Sequence, residues 1–169
     1  DDLPLVAAPG RARRAELAAL TGADRAKTWV LLSFTTLAWD QHALDRVAAL
    51  AGHEFFTVPP LAWKRPNLHA VARQRVPYSD LTASVDVVVS KPGGLTTSEV
   101  LARGAALAIV NPVPGQESRN SDFLLENGAA IKINNVATLP HKLTALLGNP
   151  GRLAGLKENA HRLGRPQAA

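Results

Sequence analysis

Residues 86–99, DVVVSKPGGLTTSE, confine this chain more than any other stretch. Val87, Val88 and Val89 form a β-branched run without polar alternation, the pattern of a strand covered on both faces in a parallel sheet. Pro92, Gly93 and Gly94 then bring bare backbone to the carboxyl end of that strand, and Thr96, Thr97 and Ser98 open a helix. The unpaired N–H groups and the dipole of a helix start attract an anion, so this turn is a candidate phosphate seat. Its spacing matches neither the P-loop pattern nor GxGxxG, which sets aside P-loop ATP cleavage and Rossmann dinucleotide binding by their usual fingerprints. The same residues also suit a plain strand-to-helix connection, with Thr96 capping the helix and Glu99 returning the capping-box hydrogen bond three residues later.

The rest of the chain alternates in the same manner. Trp29 to Phe34 predicts a buried strand, and Asp40 caps a helix whose apolar stripe is Ala43, Leu44, Val47, Ala48 and Ala51. Glu54 to Val58 predicts a second strand and Leu68 to Val71 a weaker third, with a short helix over Tyr78 to Ser84 before the valine strand. A helix from Thr97 to Arg103 is stopped by Gly104, and Ala105 to Val110 returns to the sheet. A loop from Asn111 to Glu117 precedes a helix near Asn120 to Glu126 that Gly128 stops; Ala129 to Ile133 is the last strand, and two helices separated by Gly148-Asn149-Pro150 follow. No repeat interrupts the alternation. The expected fold is therefore α/β, a doubly wound, mostly parallel sheet with helices on both faces, and its ligands sit outside the carboxyl ends of the strands. The loops at Ser33 to Leu37, Pro59 to Arg65, Lys91 to Ser98 and Asn111 to Asn120 share that rim.

Composition narrows the class of function. The 169 residues are enough for one domain with a real core, and there is no cysteine, which excludes disulfides, thiolate catalysis and Cys-ligated zinc. The five histidines lack HxxxH or HExxH spacing, so no metal site is expected. A formal charge of +5 suits any anionic partner. The basic residues are spread over both halves, in clusters such as Arg11, Arg13 and Arg14, and read as solvated faces, with no pattern that selects nucleic acid. No apolar run reaches a membrane span and no signal-peptide plan opens the chain, so membrane contact is expected to be peripheral and the compartment cytoplasmic. The chain begins Asp1-Asp2-Leu3-Pro4 and has no Met, so it is expected to be a fragment, an excised domain or a processed piece, and residues 1–27 read as an N-terminal extension or linker remnant ahead of a domain at 28–169.

SKPGGLTTSEVLARG, followed by VNPVPGQESRN and then ENGAAIKI, closely resembles the C-terminal, donor-binding domain of two-domain (GT-B) glycosyltransferases. The resemblance runs from about Asp86 to Ala169 and is nearest to the diacylglycerol glycosyltransferases and, more distantly, to the GlcNAc transferase of the peptidoglycan lipid precursor. PPLAWKRPNLHAV and VPYSDLTASVDVVVSKPG in the first half resemble glycosyltransferase-like proteins of another branch. The resemblance implies the GT-B C-terminal, Rossmann-like half, a UDP-sugar donor, and transfer of a hexosyl unit with inversion to an acceptor such as a lipid. It also implies a missing N-terminal domain that supplies acceptor and base, contacts the membrane peripherally, and without which the chain is inactive.

On that reading the amides of Gly93, Gly94, Leu95 and Thr96 hold the diphosphate without metal or other cofactor, and no DxD pair is present. The resemblance places Glu99 on the ribose hydroxyls and Gln116 and Glu117 near the hexose, with Asn120 as a further sugar contact that also suits a helix cap. The PGQE run is equally a solvated surface turn, and Lys91 is as well suited to solvent as to phosphate. One departure stands out: where many relatives carry glycines after the first strand, SFTTL places Thr35 and Thr36, and β-branched residues resist positive φ. That departure keeps a non-catalytic nucleotide-sugar-binding module in play, and half of a UDP-sugar epimerase shares the architecture.

Overall fold

The computed structural model of the chain describes residues 12–33, 41–50, 52–58, 65–72, 75–91, 100–101, 104–110, 116–133 and 136–164. Helix α1 (Arg14–Thr21) leads into β1 (Thr28–Ser33), α2 (Gln41–Ala48), β2 (His53–Val58), β3 (Leu68–Ala70), α3 (Tyr78–Ser84) and β4 (Val87–Ser90). After helical residues Val100 and Leu101 come β5 (Ala106–Val110), α4 (Gln116–Glu126) and β6 (Ala130–Ile133), then a single 3-10 turn and helices α5 (Leu139–Leu147) and α6 (Pro150–Leu163). The six strands form one sheet in the order β3-β2-β1-β4-β5-β6, and every pairing is parallel.

The strand sequences explain why both faces of this sheet are covered. Trp29 and Leu31 of β1, Phe56 and Val58 of β2, Val88 of β4 and Leu107 and Ile109 of β5 point to one face, where Leu17 of α1, Leu81 of α3 and Leu124 of α4 meet them. The intervening residues, Val30, Leu32, Phe55, Val87, Val89 and Val110, point to the other and pack on Val47 of α2 and Leu139, Leu143 and Leu146 of α5. A strand that must satisfy both layers has few positions for a polar residue, which is why runs such as Val87 to Val89 read as continuously apolar. Helix α6 reaches both cores, with Leu156 in one and Ala160 in the other.

Two helix stops follow the expectation from glycine. Gly104 and Gly128 have φ of +69° and +66°, the left-handed conformation that ends a helix without a Cβ clash. Gly128 has a second constraint, because its carbonyl accepts a hydrogen bond from Asn159 Nδ2 of α6 at 3.1 Å and a Cβ on Gly128 would lie 2.8 Å from that nitrogen. Gly128→Ala is therefore expected to lower stability by about 2 kcal/mol, the sum of left-handed strain and a displaced hydrogen bond. A urea titration would show it as a shifted midpoint at constant slope.

The described residues ahead of β1, from 12 onward, pack against the sheet and α3. Leu17 is fully buried, Arg13 Nε lies 2.7 Å from Asp80 Oδ2, and the Arg14 guanidinium stacks 4.3 Å above the Trp29 ring. The solvated-face reading of this basic cluster is thus corrected for Arg13 and Arg14, whose carboxylate partners lie in or beside distant α3 and β4.

Candidate functional site

Strand order defines where a ligand fits. The chain leaves β1 toward β2 on one side and leaves β4 toward β5 on the other, so β1 and β4 are central neighbours whose connections diverge. Divergence opens a crevice outside their carboxyl ends, the switch point at which open α/β sheets bind ligands. Leu32 pairs with Val89, and the next residue on each strand, Ser33 and Ser90, ends it at that crevice. Both serines are nearly buried, at 7% exposure. Tyr78, the first residue of α3, donates its hydroxyl to Ser33 Oγ at 2.9 Å, and Lys91, half-buried, follows Ser90.

The expected phosphate seat begins at this edge. Gly93, Gly94, Leu95, Thr96 and Glu99 lie outside the described residues, as do Thr35 and Thr36. The described residues bracket the seat: β4 ends at Ser90, the chain is helical at buried Val100 and Leu101, and Gly104 ends that helix. The expected strand before residues 92–99 and the expected helix after them are therefore both present.

Gln116 and Glu117 require a correction. The sequence reading put them in a loop ahead of a helix near Asn120, whereas α4 begins at Gln116, so both residues form its first turn. Asn120, half-buried, lies one turn further along. The misreading has a physical source: the first turn carries no apolar residue to announce a helix, and the core contact of α4, Leu124, comes in its third turn. Because α4 follows β5, its start lies on the same side of the sheet as the ends of β4 and β5, and the topology brings the Gln116–Asn120 turn to the rim that carries Ser33 and Ser90.

Sequence reasoning missed the strongest charge arrangement, at the opposite, amino end of the sheet. Asp86, just before β4, accepts from Lys157 Nζ of α6 at 2.7 Å on one carboxylate oxygen, and from Arg14 Nη1 at 3.2 Å and the Trp29 main-chain N–H at 2.9 Å on the other. Burial pushes its pKa up, but the Lys157 hydrogen bond, the Trp29 N–H and the two cationic charges outweigh burial and hold it below the ordinary 3.8. A second pair joins Glu54 of β2 to His69 of β3 at 2.5 Å, with His69 also packed against Phe56. His69 lies on edge strand β3, within the segment read from the sequence as a weaker third strand. Neither arrangement leaves a local sequence signal, since each partner comes from a different element.

Of the clefts among the described residues, two bear on groups discussed above. One of about 270 Å³ separates the end of α1 from edge strand β3. The other, of about 260 Å³, lies between the ends of α2 and α5 and is lined in part by His53, whose pKa is lowered by burial and by the nearby Lys27 charge. Among the described residues no three His, Cys, Asp or Glu side chains are grouped to hold a metal, and no helix is long and apolar enough to cross a membrane.

Comparison with known proteins bears on this geometry. No family model matches the chain. The processive diacylglycerol β-glucosyltransferase of Bacillus subtilis is 36% identical over 80 residues, 47% of this chain and 21% of that enzyme. The chain thus spans about a fifth of the length of that relative. Among solved structures, the glycosyltransferase VinC in complex with dTDP aligns at a TM-score of 0.64 with 20% identity over 85% of this chain and 37% of that one. MurG of Acinetobacter baumannii aligns at 0.60 with 20% identity, over 85% and 48%. A Listeria monocytogenes protein assigned as a UDP-N-acetylglucosamine 2-epimerase aligns at 0.64 with 14% identity, over 84% and 42%. At these identities the structural matches establish the fold alone. The chain therefore has a Rossmann-like α/β fold of the kind these solved glycosyltransferases contain, and 47% of its length is similar in sequence to a diacylglycerol β-glucosyltransferase.

Proposed function

We propose that the chain is the donor-binding half of an inverting, metal-independent UDP-sugar hexosyltransferase whose acceptor is a lipid. The observation that carries this reading is the β1/β4 switch point, at whose edge Ser90 ends β4 and the SKPGGLTTSE sequence begins. In this reading the amides of Gly93, Gly94, Leu95 and Thr96 and the helix dipole hold the diphosphate and stabilise it as the leaving group. The Glu99 carboxylate accepts from the two ribose hydroxyls, and Gln116, Glu117 and Asn120 in the first turns of α4 hold the hexose. The sugar and acceptor classes come from the matched relatives, named for placing a β-glucosyl unit on diacylglycerol. From an α-linked donor, that product requires inversion. A general base to deprotonate the acceptor then belongs to an N-terminal domain, which also brings the protein to the membrane surface.

Half of a UDP-sugar epimerase is the second reading, favoured by the epimerase alignment at a TM-score of 0.64. Both readings require nucleotide binding, and they part at the product, a glycoside or an epimerised sugar. Calorimetric titration of the chain with UDP in EDTA is expected to give saturable binding at millimolar concentration or below. Heat that appears only once magnesium is added would overturn the metal-free diphosphate site.

A further inference from the structure

The sequence contains one Asn-Gly dipeptide, Asn127-Gly128, and the fold sets it just beyond the last residue of α4, with Asn127 exposed. An asparagine followed by glycine is prone to modify itself, because no Cβ on the second residue hinders attack by its backbone nitrogen. That nitrogen adds to the side-chain carbonyl carbon, the Cγ–Nδ2 bond breaks, and ammonia leaves with the amide proton as a succinimide ring closes. Water then opens the ring at either carbonyl to give aspartate or isoaspartate. Water is the only reactant consumed.

The structure engages both reacting groups in other bonds. The Gly128 N–H donates to the Leu125 carbonyl at 3.1 Å and the Ala129 N–H to the Leu124 carbonyl at 3.0 Å, the two bonds of a Schellman turn around a left-handed glycine. Asn127 Nδ2, the group that leaves as ammonia, donates to the Phe123 carbonyl at 2.7 Å. From outside the turn, Asn159 of α6 donates to the Gly128 carbonyl at 3.1 Å and ties the glycine to a distant helix. Ring closure frees the Gly128 N–H from Leu125 and swings the peptide toward Cγ, so the reaction runs through a local opening of this turn. The product does not fit the closed turn, since a carboxylate at 127 faces the Phe123 carbonyl at the negative end of the α4 dipole.

We propose that Asn127 is a site of spontaneous succinimide formation and that Asn159, by pinning the Gly128 carbonyl, sets its rate in the folded chain. The chain, Asn159→Ala and Val47→Ala are incubated at neutral pH, and aspartyl and isoaspartyl products at position 127 are measured by peptide mapping with mass spectrometry. The chain unfolded in urea gives the unprotected rate. The folded chain is expected to react far more slowly than the unfolded one, and Asn159→Ala about three- to tenfold faster than the folded parent, as loss of one hydrogen bond raises the open population. Val47→Ala weakens the core on the opposite face of the sheet from Leu124 of α4 and is expected to keep the parent rate. Absence of product at 127 in every state, equal rates in the folded and unfolded chain, an Asn159→Ala rate equal to the parent's, or equal acceleration by both variants would each overturn the inference. Hydrogen exchange at the Gly128 amide of the unsubstituted chain tests the closed turn without a variant: slow exchange is expected, and exchange at the unfolded rate would overturn it.

Discussion

Asp86→Asn is expected to destabilise the domain by about 2–4 kcal/mol, although it changes neither size nor shape. Each carboxylate oxygen of Asp86 faces donors only: Lys157 on one side, Arg14 and the Trp29 N–H on the other. An amide replaces one acceptor with an NH2 group, so in either orientation two donors confront each other and a cation loses its partner. The estimate sits below that for a fully buried pair because Lys157 and Arg14 keep 38% and 29% of their side chains exposed. The pH dependence has a definite sign. Folding lowers the Asp86 pKa, so its contribution is complete above the ordinary 3.8 and is lost as pH falls through the lower folded value. Urea titrations at neutral pH should separate the two proteins, and the gap should close as pH drops below about 4. A gap that persists unchanged at low pH would show that ionisation is not what the site contributes.

The larger functional effect is expected at α4. Converting Gln116 and Glu117 together to alanine should leave UDP affinity near that of the parent chain and abolish its preference among UDP-glucose, UDP-galactose and UDP-GlcNAc, by roughly 1–3 kcal/mol for each sugar hydroxyl left without a partner. The helical position of both residues makes this a clean test, since alanine is the best helix former and the substitutions do not disturb the backbone of the first turn. Competition binding with the three donors reads the preference directly. Loss of UDP itself would mean that this turn supports the nucleotide or the fold, and retention of the original preference would place the sugar elsewhere.

The fold was legible where burial dictates residue type. Val87 to Val89 could only be a doubly covered strand, and the extent of α3, Tyr78 to Ser84, follows from its flanking Pro77 and Val85. Strand order was not legible, because apolar runs record that a strand is buried and not which strand lies beside it. Helix α4 was read about four residues short for want of apolar residues in its first turn. The long-range polar pairs were invisible for a related reason: Tyr78 and Ser33 are 45 residues apart, and Arg14 and Asp86 are 72 apart, so no periodicity joins them. For the candidate site, motif order pointed to the segment after β4 and to Gln116–Asn120, and topology added what motifs lack, the neighbourhood of Ser33 with Ser90.

The Asp86 cluster also has a consequence for the order in which the molecule assembles. Its members come from α1, from the residue before β4 and from α6, so one carboxylate joins segments separated by nearly the whole described chain. A ribosome delivers Arg14 early and Lys157 last. Until α6 emerges, Arg14 and Asp86 can meet, but the second cation and the α6 side chains that enter both cores, Leu156 and Ala160, are absent. Long-range contacts of this kind delay the cooperative step of folding. Full stability is therefore expected only once α6 has docked, so a chain truncated before Pro150 should unfold at a lower urea concentration than the whole domain.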